Sequence, residues 1–290
     1  MKKSQNVTEL EELAASQWGM FTTAQAQELG VRRNQVARMV SAGRVESVGY
    51  GVYCFAVGNE TDSADVKAAW LSVYPKEFAF DRMKKKPYDA VVAERTAAAM
   101  HDIGDFYASP YTFAVDRRKQ TNRENMRYLR RAVDESDVVF VDDLPVTSIE
   151  RTICDLIESH EDPNLVDELM SDAARKRGYI FDRRRLSELL APLAFRNGFK
   201  KGDGESFAAS LISRNVADVQ IESAAKTLAQ VLELAYGQDD MRKIQAQMRA
   251  AIDTLVSTNA LKDSREDVEG ASPGDGNTTS GRNRAKRRNV

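Results

Sequence analysis

Apolar residues recur at helical spacing from the start of the chain. Leu10, Leu13, Ala14 and Trp18 fall on one face of a helix that opens at Val7 and stops at Gly19. Met20 and Phe21 form a short apolar step. Thr22 or Thr23 caps a second helix, AQAQELG, with Gln25 placed three residues after Thr22 to close a capping box and Gly30 as its left-handed terminus. Val31 is the buried turn residue. A third helix begins at Arg32-Arg33-Asn34, turns Val36, Met39 and Val40 inward and closes at Ala42-Gly43. RVESVGYGVYCF then alternates as a hairpin around Gly49-Tyr50-Gly51. Helix, helix, short turn, helix, hairpin is the order of a winged helix-turn-helix, assigned to residues 1–58.

The pattern changes over residues 59–178. SADVKAAWLSVYP reads as a helix stopped by Pro75, and DAVVAERTAAAMHDIG as a second, alanine-rich one. Tyr111–Val115 alternates like a strand, Asp137–Val141 is a buried strand and Asp142-Asp143 its turn. Leu144-Pro145-Val146-Thr147 leads into the helix SIERTICDLIE, with Ile149, Ile153, Leu156 and Ile157 on one face, and Asp162-Pro163 starts another through Lys176. Strands mixed with helices make an α+β domain. Residues 179–261 carry only helical periodicity and read as a segment packed on that domain. Residues 262–290 are rich in Gly, Ser, Asn, Asp and Arg, without periodic apolar positions, and read as a disordered basic tail ending GRNRAKRRNV. The fold class expected is therefore α+β, mostly helical.

With 42% hydrophobic residues, the 290-residue chain has enough apolar content for ordinary buried cores. Its net charge of −2 does not by itself suggest nucleic acid, so charge has to be read by segment. Two distant cysteines, Cys54 and Cys154, and two histidines give no disulfide framework and no zinc spacing. The expectation is a reducing, cytoplasmic setting with no metal, no cofactor and no membrane span. The N-terminus turns acidic after two lysines and lacks an apolar stretch, so no signal peptide is read there.

The candidate chemistry is recognition of double-stranded DNA. A helix fits the major groove, and the first turns of the recognition helix meet the base edges. Those turns carry Arg32, Arg33, Asn34, Gln35 and Arg38. Arginine can pair in a fork with guanine, and Asn or Gln with adenine. Thr22, Thr23 and Gln25 sit where the preceding helix would cross the backbone, and Tyr50 at the hairpin tip faces a minor groove or phosphate. A run holding Arg117, Arg118, Lys119, Arg123, Arg127, Arg130 and Arg131 is a second electrostatic candidate. Arg117, Arg118, Lys119 and Arg123 are its additional phosphate contacts. The alternative is a solvated helix, or pairing with Asp134-Glu135 and Asp142-Asp143.

Catalysis finds little support. His101 follows AAAM and is placed to cap or to pack on Tyr107, and His160 sits at a helix end. Neither has a nucleophile and acid in triad order. Asp142-Asp143 and Asp239-Asp240 look like turn or helix-start residues, Glu168 like surface, and no phosphate-binding loop is present.

The stretch FTTAQAQELGVRRNQVARMVSAGRVESVGYGVYCF resembles the AbiEi antitoxin domain of type IV toxin–antitoxin systems. LPVTSIERTICDLIE is similar to that family's second motif, so the resemblance runs from about Val7 to Gly178. Tyr50 stands where a basic residue is common in the family's wing. The resemblance implies a DNA-binding antitoxin that represses its own operon through inverted repeats and counters an AbiEii-like nucleotidyltransferase toxin without a stable complex. It places Arg32, Arg33, Asn34, Gln35 and Arg38 on DNA, and matches Arg151, Thr152 and Asp155 to the second motif. Arg151 and Asp155 also stand at i and i+4, where a structural pair forms on one helix face. The other readings are a winged helix that binds a protein partner, and a restriction-linked DNA-binding factor.

Overall fold

The N-terminal elements follow from their local signals. In the computed structural model, which describes residues 2–55, 63–176 and 179–216, helix α1 spans Lys2–Ala15, strand β1 Met20–Thr22, α2 Thr23–Glu28, α3 Arg33–Ser41, β2 Val45–Gly49 and β3 Val52–Phe55. Thr22 and Gln25 form the expected capping box: the Thr22 hydroxyl accepts from the Gln25 N–H at 3.1 Å, and the Gln25 side chain accepts from the Thr22 N–H at 2.8 Å. Gly30 ends the turn after α2 at φ +78°, where a Cβ would collide with the Asn6 side chain. Val31 is fully buried. The core beneath α3 is Leu10, Ala14, Phe21, Ala26, Val31, Val36, Met39 and Val45.

Three local readings change. Met20 and Phe21 are the centre of a strand rather than a step, pairing antiparallel with Cys54 and Tyr53 to give a three-stranded sheet in the order β1-β3-β2. Trp18 lies beyond α1 at φ +61° and meets Trp70 edge-on at 6.0 Å instead of extending the helix stripe. Val40 is 38% exposed: Val36 and Met39 already fill the inner face of a helix that ends at Ser41.

The next segment builds a mixed sheet. Its elements are α4 Ala64–Val73, α5 Ala79–Lys84, β4 Ala90–Val92, α6 Glu94–Met100, β5 Tyr111–Val115, β6 Met126–Arg130, β7 Val138–Val141, β8 Leu144–Thr147, α7 Ile149–Glu158 and α8 Pro163–Arg175. Strand order is β6-β5-β4-β8-β7. The predicted alanine-rich helix is a strand and a shorter helix, because Ala90-Val91-Val92 is wholly buried in the sheet. Leu144–Thr147 is likewise a strand, all four residues buried, joined to β7 through Asp142 and Asp143 at φ +48° and +64°. The basic run is not a helix. Its second half is β6, which pairs in parallel with β5. A parallel pair needs a crossover, and here residues 116–125 supply it as an irregular loop.

Helices α9 Arg183–Leu190 and α10 Gly204–Asn215 pack with α7 and α8 on a second core around Ile153, Leu156, Leu169 and Phe207. The chain divides into units 1–223 and 224–290, and the described residues lie in the first. The helices expected after residue 216 and the basic tail lie outside the described residues. The architecture is α+β and mostly helical.

One buried cation holds the first core together. Arg82 is 1% exposed, forks onto Asp89 at 2.9–3.1 Å, donates to the Trp70 carbonyl at 2.8 Å and lies 3.4 Å over the Trp70 ring. Removing one partner of a buried pair leaves the other charge uncompensated, so Asp89→Ala is expected to cost about 3–5 kcal/mol in urea denaturation.

His101 caps α6, its Nε2 2.7 Å from the Thr147 carbonyl, and burial pushes its pKa down. The folded value then lies below the unfolded one of about 6.5, so the unfolded chain takes up the proton first. Stability is full above the ordinary histidine range and falls as pH drops through it. The expected outcome is a Tm that decreases between pH about 8 and about 5 by more in the wild type than in His101→Gln. Equal decreases would place the sensitivity elsewhere.

Candidate nucleic-acid interface

Helix α3 presents one face inward and one outward. Val36 and Met39 are buried at 2% and 6%, while Arg32, Arg33, Asn34 and Arg38 are exposed. Arg32, Arg33 and Arg38 make no ion pair among the described residues. Gln35 is committed locally, its side-chain oxygen accepting from the Arg32 N–H at 3.0 Å. Forked contact with adenine would require it to leave that cap, so Gln35 serves first as the start signal of the helix.

The wing is the β2–β3 hairpin. Tyr50 at its tip is 81% exposed, and Gly51 follows at φ +68°, its carbonyl accepting from the Thr23 hydroxyl at 3.2 Å. The guanidinium of Arg123 stands 5.3 Å from the Tyr50 ring. The crossover loop thus comes to lie beside the wing. A groove of about 590 Å³ runs between them, lined among others by Thr23, Arg33, Tyr50, Lys119, Arg123 and Tyr128.

The loop residues are held to different degrees. Arg123 donates to the Ser72 and Tyr128 hydroxyls at 3.0 and 3.3 Å. Lys119 sits 4.7 Å over the Tyr74 ring, and burial with Arg117, Arg82 and Arg123 nearby pushes its pKa down. A cation crowded by other cations is a place where a phosphate oxygen lowers the energy. Arg117 meets Glu77 at 3.5 Å and Asp116 at 3.8 Å, whereas Arg118 is exposed and unpaired among the described residues. Among the described residues, the alternative pairing of this run with Asp134-Glu135 and Asp142-Asp143 is not seen. Arg127 pairs with Glu94, and Arg131 with Asp155 and Glu158, because β6 carries them toward α6 and α7.

Thr22 and Gln25 do not line the groove. They are 1% and 0% exposed, and they bolt the winged helix to residues 75–79. The Thr22 hydroxyl donates to the Pro75 carbonyl. Gln25 donates to the Glu77 carbonyl at 2.9 Å and accepts from Gln17 at 2.8 Å, and the Gln17 oxygen accepts from the Ala79 N–H at 3.3 Å. Neither side chain can reach a phosphate. Gln27 and Tyr128, which the sequence reading passed over, stand on the groove instead.

An exposed arginine-led helix, a packed helix-turn-helix beneath it and a hairpin beside it define a winged helix-turn-helix. Residues 9–56 match the family described as transcriptional regulator, AbiEi antitoxin, so the resemblance read in the sequence holds over this segment. No curated protein matches the chain. Among solved structures, the RV2827C protein from Mycobacterium tuberculosis is similar at 14% identity and a TM-score of 0.42, over 75% of this chain and 80% of that one, too distant a likeness to bear on function. Among the described residues no helix is long and apolar enough to cross a membrane, and no cluster of three or more His, Cys, Asp or Glu is placed to hold a metal.

Replacing Gln25 strips buried groups of their partners. Gln25→Ala is expected to cost about 1–3 kcal/mol in a denaturant titration. The exposed Gln27→Ala should stay within about 0.5 kcal/mol of wild type.

Proposed function

We propose that the chain is a DNA-binding antitoxin and transcriptional autorepressor of a type IV toxin–antitoxin operon. On this reading it acts in the cytoplasm, binds inverted repeats in its own promoter and counters a nucleotidyltransferase-type toxin without catalysis of its own. The observation that carries it is the outer face of α3, where Arg32, Arg33 and Arg38 are exposed and make no ion pair among the described residues. The family matched over residues 9–56 supports the regulator and antitoxin parts. The winged helix, residues 1–58, is the reading head. The domain of residues 59–178 adds phosphate contacts through its crossover loop.

Within this scheme the parts divide by contact. Arg32, Arg33, Asn34 and Arg38 meet base edges and adjoining phosphates, Tyr50 and Thr23 touch the backbone beside the wing, and Arg117, Arg118, Lys119 and Arg123 extend the track. The last group contributes affinity that is independent of sequence and sensitive to salt.

An electrophoretic shift assay with the chain's own promoter tests the assignment. The double variant Arg32→Ala, Arg38→Ala is expected to lose promoter binding with an unchanged far-UV spectrum. Promoter binding that survives it would remove α3 as the recognition helix. Lys119→Ala with Arg123→Ala should lower the slope of log K against log salt by about 2 while keeping sequence preference.

A further inference from the structure

A second polar cleft, of about 540 Å³, lies away from the wing between the edge strand β6 and helix α7. Arg151, Asp155 and Glu158 stand on one face of α7, at spacings of four and three. Arg127 and Arg131 reach over from β6 and its end, and Glu94 enters from the start of α6. Arg130 also borders the cleft, giving four guanidinium groups against three carboxylates.

The pairing inside the cleft is incomplete in a particular way. Asp155 Oδ1 accepts from Arg131 at 2.6 Å and from Arg151 at 2.7 Å, and Arg131 also donates to Glu158 at 3.0 Å. Arg127 donates to Glu94 at 2.9 Å. Asp155 Oδ2 is buried and has no hydrogen-bond partner, although the residue is 1% exposed. A buried carboxylate oxygen without a donor carries a desolvation cost that calls for an explanation. Each of the three arginines has five N–H donors, and each leaves Nη donors unspent in its contacts here.

Glu94 adds to the picture. It is 4% exposed and takes φ +52°, a left-handed backbone that costs a glutamate energy. Burial pushes the pKa of both Glu94 and Asp155 up, with Arg127 pulling Glu94 and Arg151 and Arg131 pulling Asp155 the other way. Packing alone is served as well by apolar side chains of similar volume. This arrangement instead sets several forked donors around an open space, with Asp155, whose Oδ2 is buried and unfilled, in its wall.

The geometry points to a binding site for a phosphate group carried on a hydroxylated skeleton, the chemistry of a sugar phosphate or nucleotide. Arg127, Arg131 and Arg151 take the phosphate oxygens, and as Arg131 and Arg151 turn from Asp155 to the phosphate, the buried Oδ2 is uncovered and accepts from a hydroxyl of the same ligand. Arginine suits this role because its planar fork matches phosphate oxygens in pairs. The phosphate can belong to a free sugar phosphate or to a nucleic-acid strand. The site does not depend on the α3 assignment, since it shares no residue with that helix.

The test uses the full chain at low salt, with inorganic phosphate and ribose 5-phosphate as probes in titration calorimetry. Arg127→Gln keeps an amide donor beside the buried Glu94, with the far-UV spectrum and Tm checking that the fold is retained, and Arg151→Gln provides a second variant. The expected result is that ribose 5-phosphate binds more tightly than inorganic phosphate and that either variant weakens it about tenfold or more. If the phosphate comes from a bound strand, Arg127→Gln instead lowers the salt slope of duplex binding by about 1. The double variant Arg32→Ala, Arg38→Ala should leave sugar-phosphate binding unchanged, which separates this site from the recognition helix. If Arg127→Gln and Arg151→Gln alter neither sugar-phosphate affinity nor the salt slope, the proposal is overturned.

Discussion

The hydrogen bonds from the buried Thr22 and Gln25 side chains to the Pro75 and Glu77 carbonyls are the constraint on which the candidate DNA-binding face depends. A winged helix attached only by a linker would present α3 and its hairpin, and nothing more. Here a capping box that starts α2 is also the anchor, because both side chains have a second polar partner on the neighbouring segment. Satisfied polar networks at low dielectric specify geometry more sharply than apolar contact does. Gln17 closes the network from the end of α1, and Trp18 packs on Trp70 beside it. The wing is thereby fixed against α4, and the exposed Tyr50 arrives next to Arg123.

The crossover loop reaches that place for a topological reason. Strands β5 and β6 are parallel neighbours separated by ten residues, so the chain must return along the sheet before it can pair again. No apolar helix fills that return. The loop is instead tied down by cation–ring contacts of Arg117 and Lys119 with Tyr74 and by the hydrogen bonds of Arg123. A basic run that composition alone makes look like a solvated surface is therefore ordered beside the hairpin.

Local signals carried the winged helix-turn-helix part of this architecture. The Thr22–Gln25 spacing, Gly30 and Val31, the Val36–Met39 stripe and the Tyr50-Gly51 turn each act within a few residues, and each appears where the sequence places it. What was not legible depends on partners far along the chain. Met20–Phe21 and Leu144–Thr147 are strands because β3, β4 and β7 lie beside them, and their short apolar runs carry no period that separates strand from helix lead-in. Ala90–Val92 was hidden for the same reason, merged with the alanine-rich helix that follows. Thr22 and Gln25 were assigned outward because a short polar helix start looks alike whether it meets water, phosphate or a neighbouring backbone. Their burial is a tertiary fact.

The same distinction orders the arginines. A chain with net charge −2 can still present positive surfaces if its cations divide into paired and unpaired groups. Arg82 and Arg185 are matched by buried carboxylates, Asp89 and Asp137, and hold structure. Arg32, Arg33, Arg38 and Arg118 are exposed with no ion pair among the described residues. Arg127, Arg131 and Arg151 fall between, each bonded to a carboxylate yet with donors left over, around an Asp155 oxygen that nothing satisfies. Sequence alone gives all of these the same letter. Their roles separate only when each guanidinium is assigned its partners, and that assignment brings arginines with unspent donors together on α3, on the crossover loop and in the cleft beside α7.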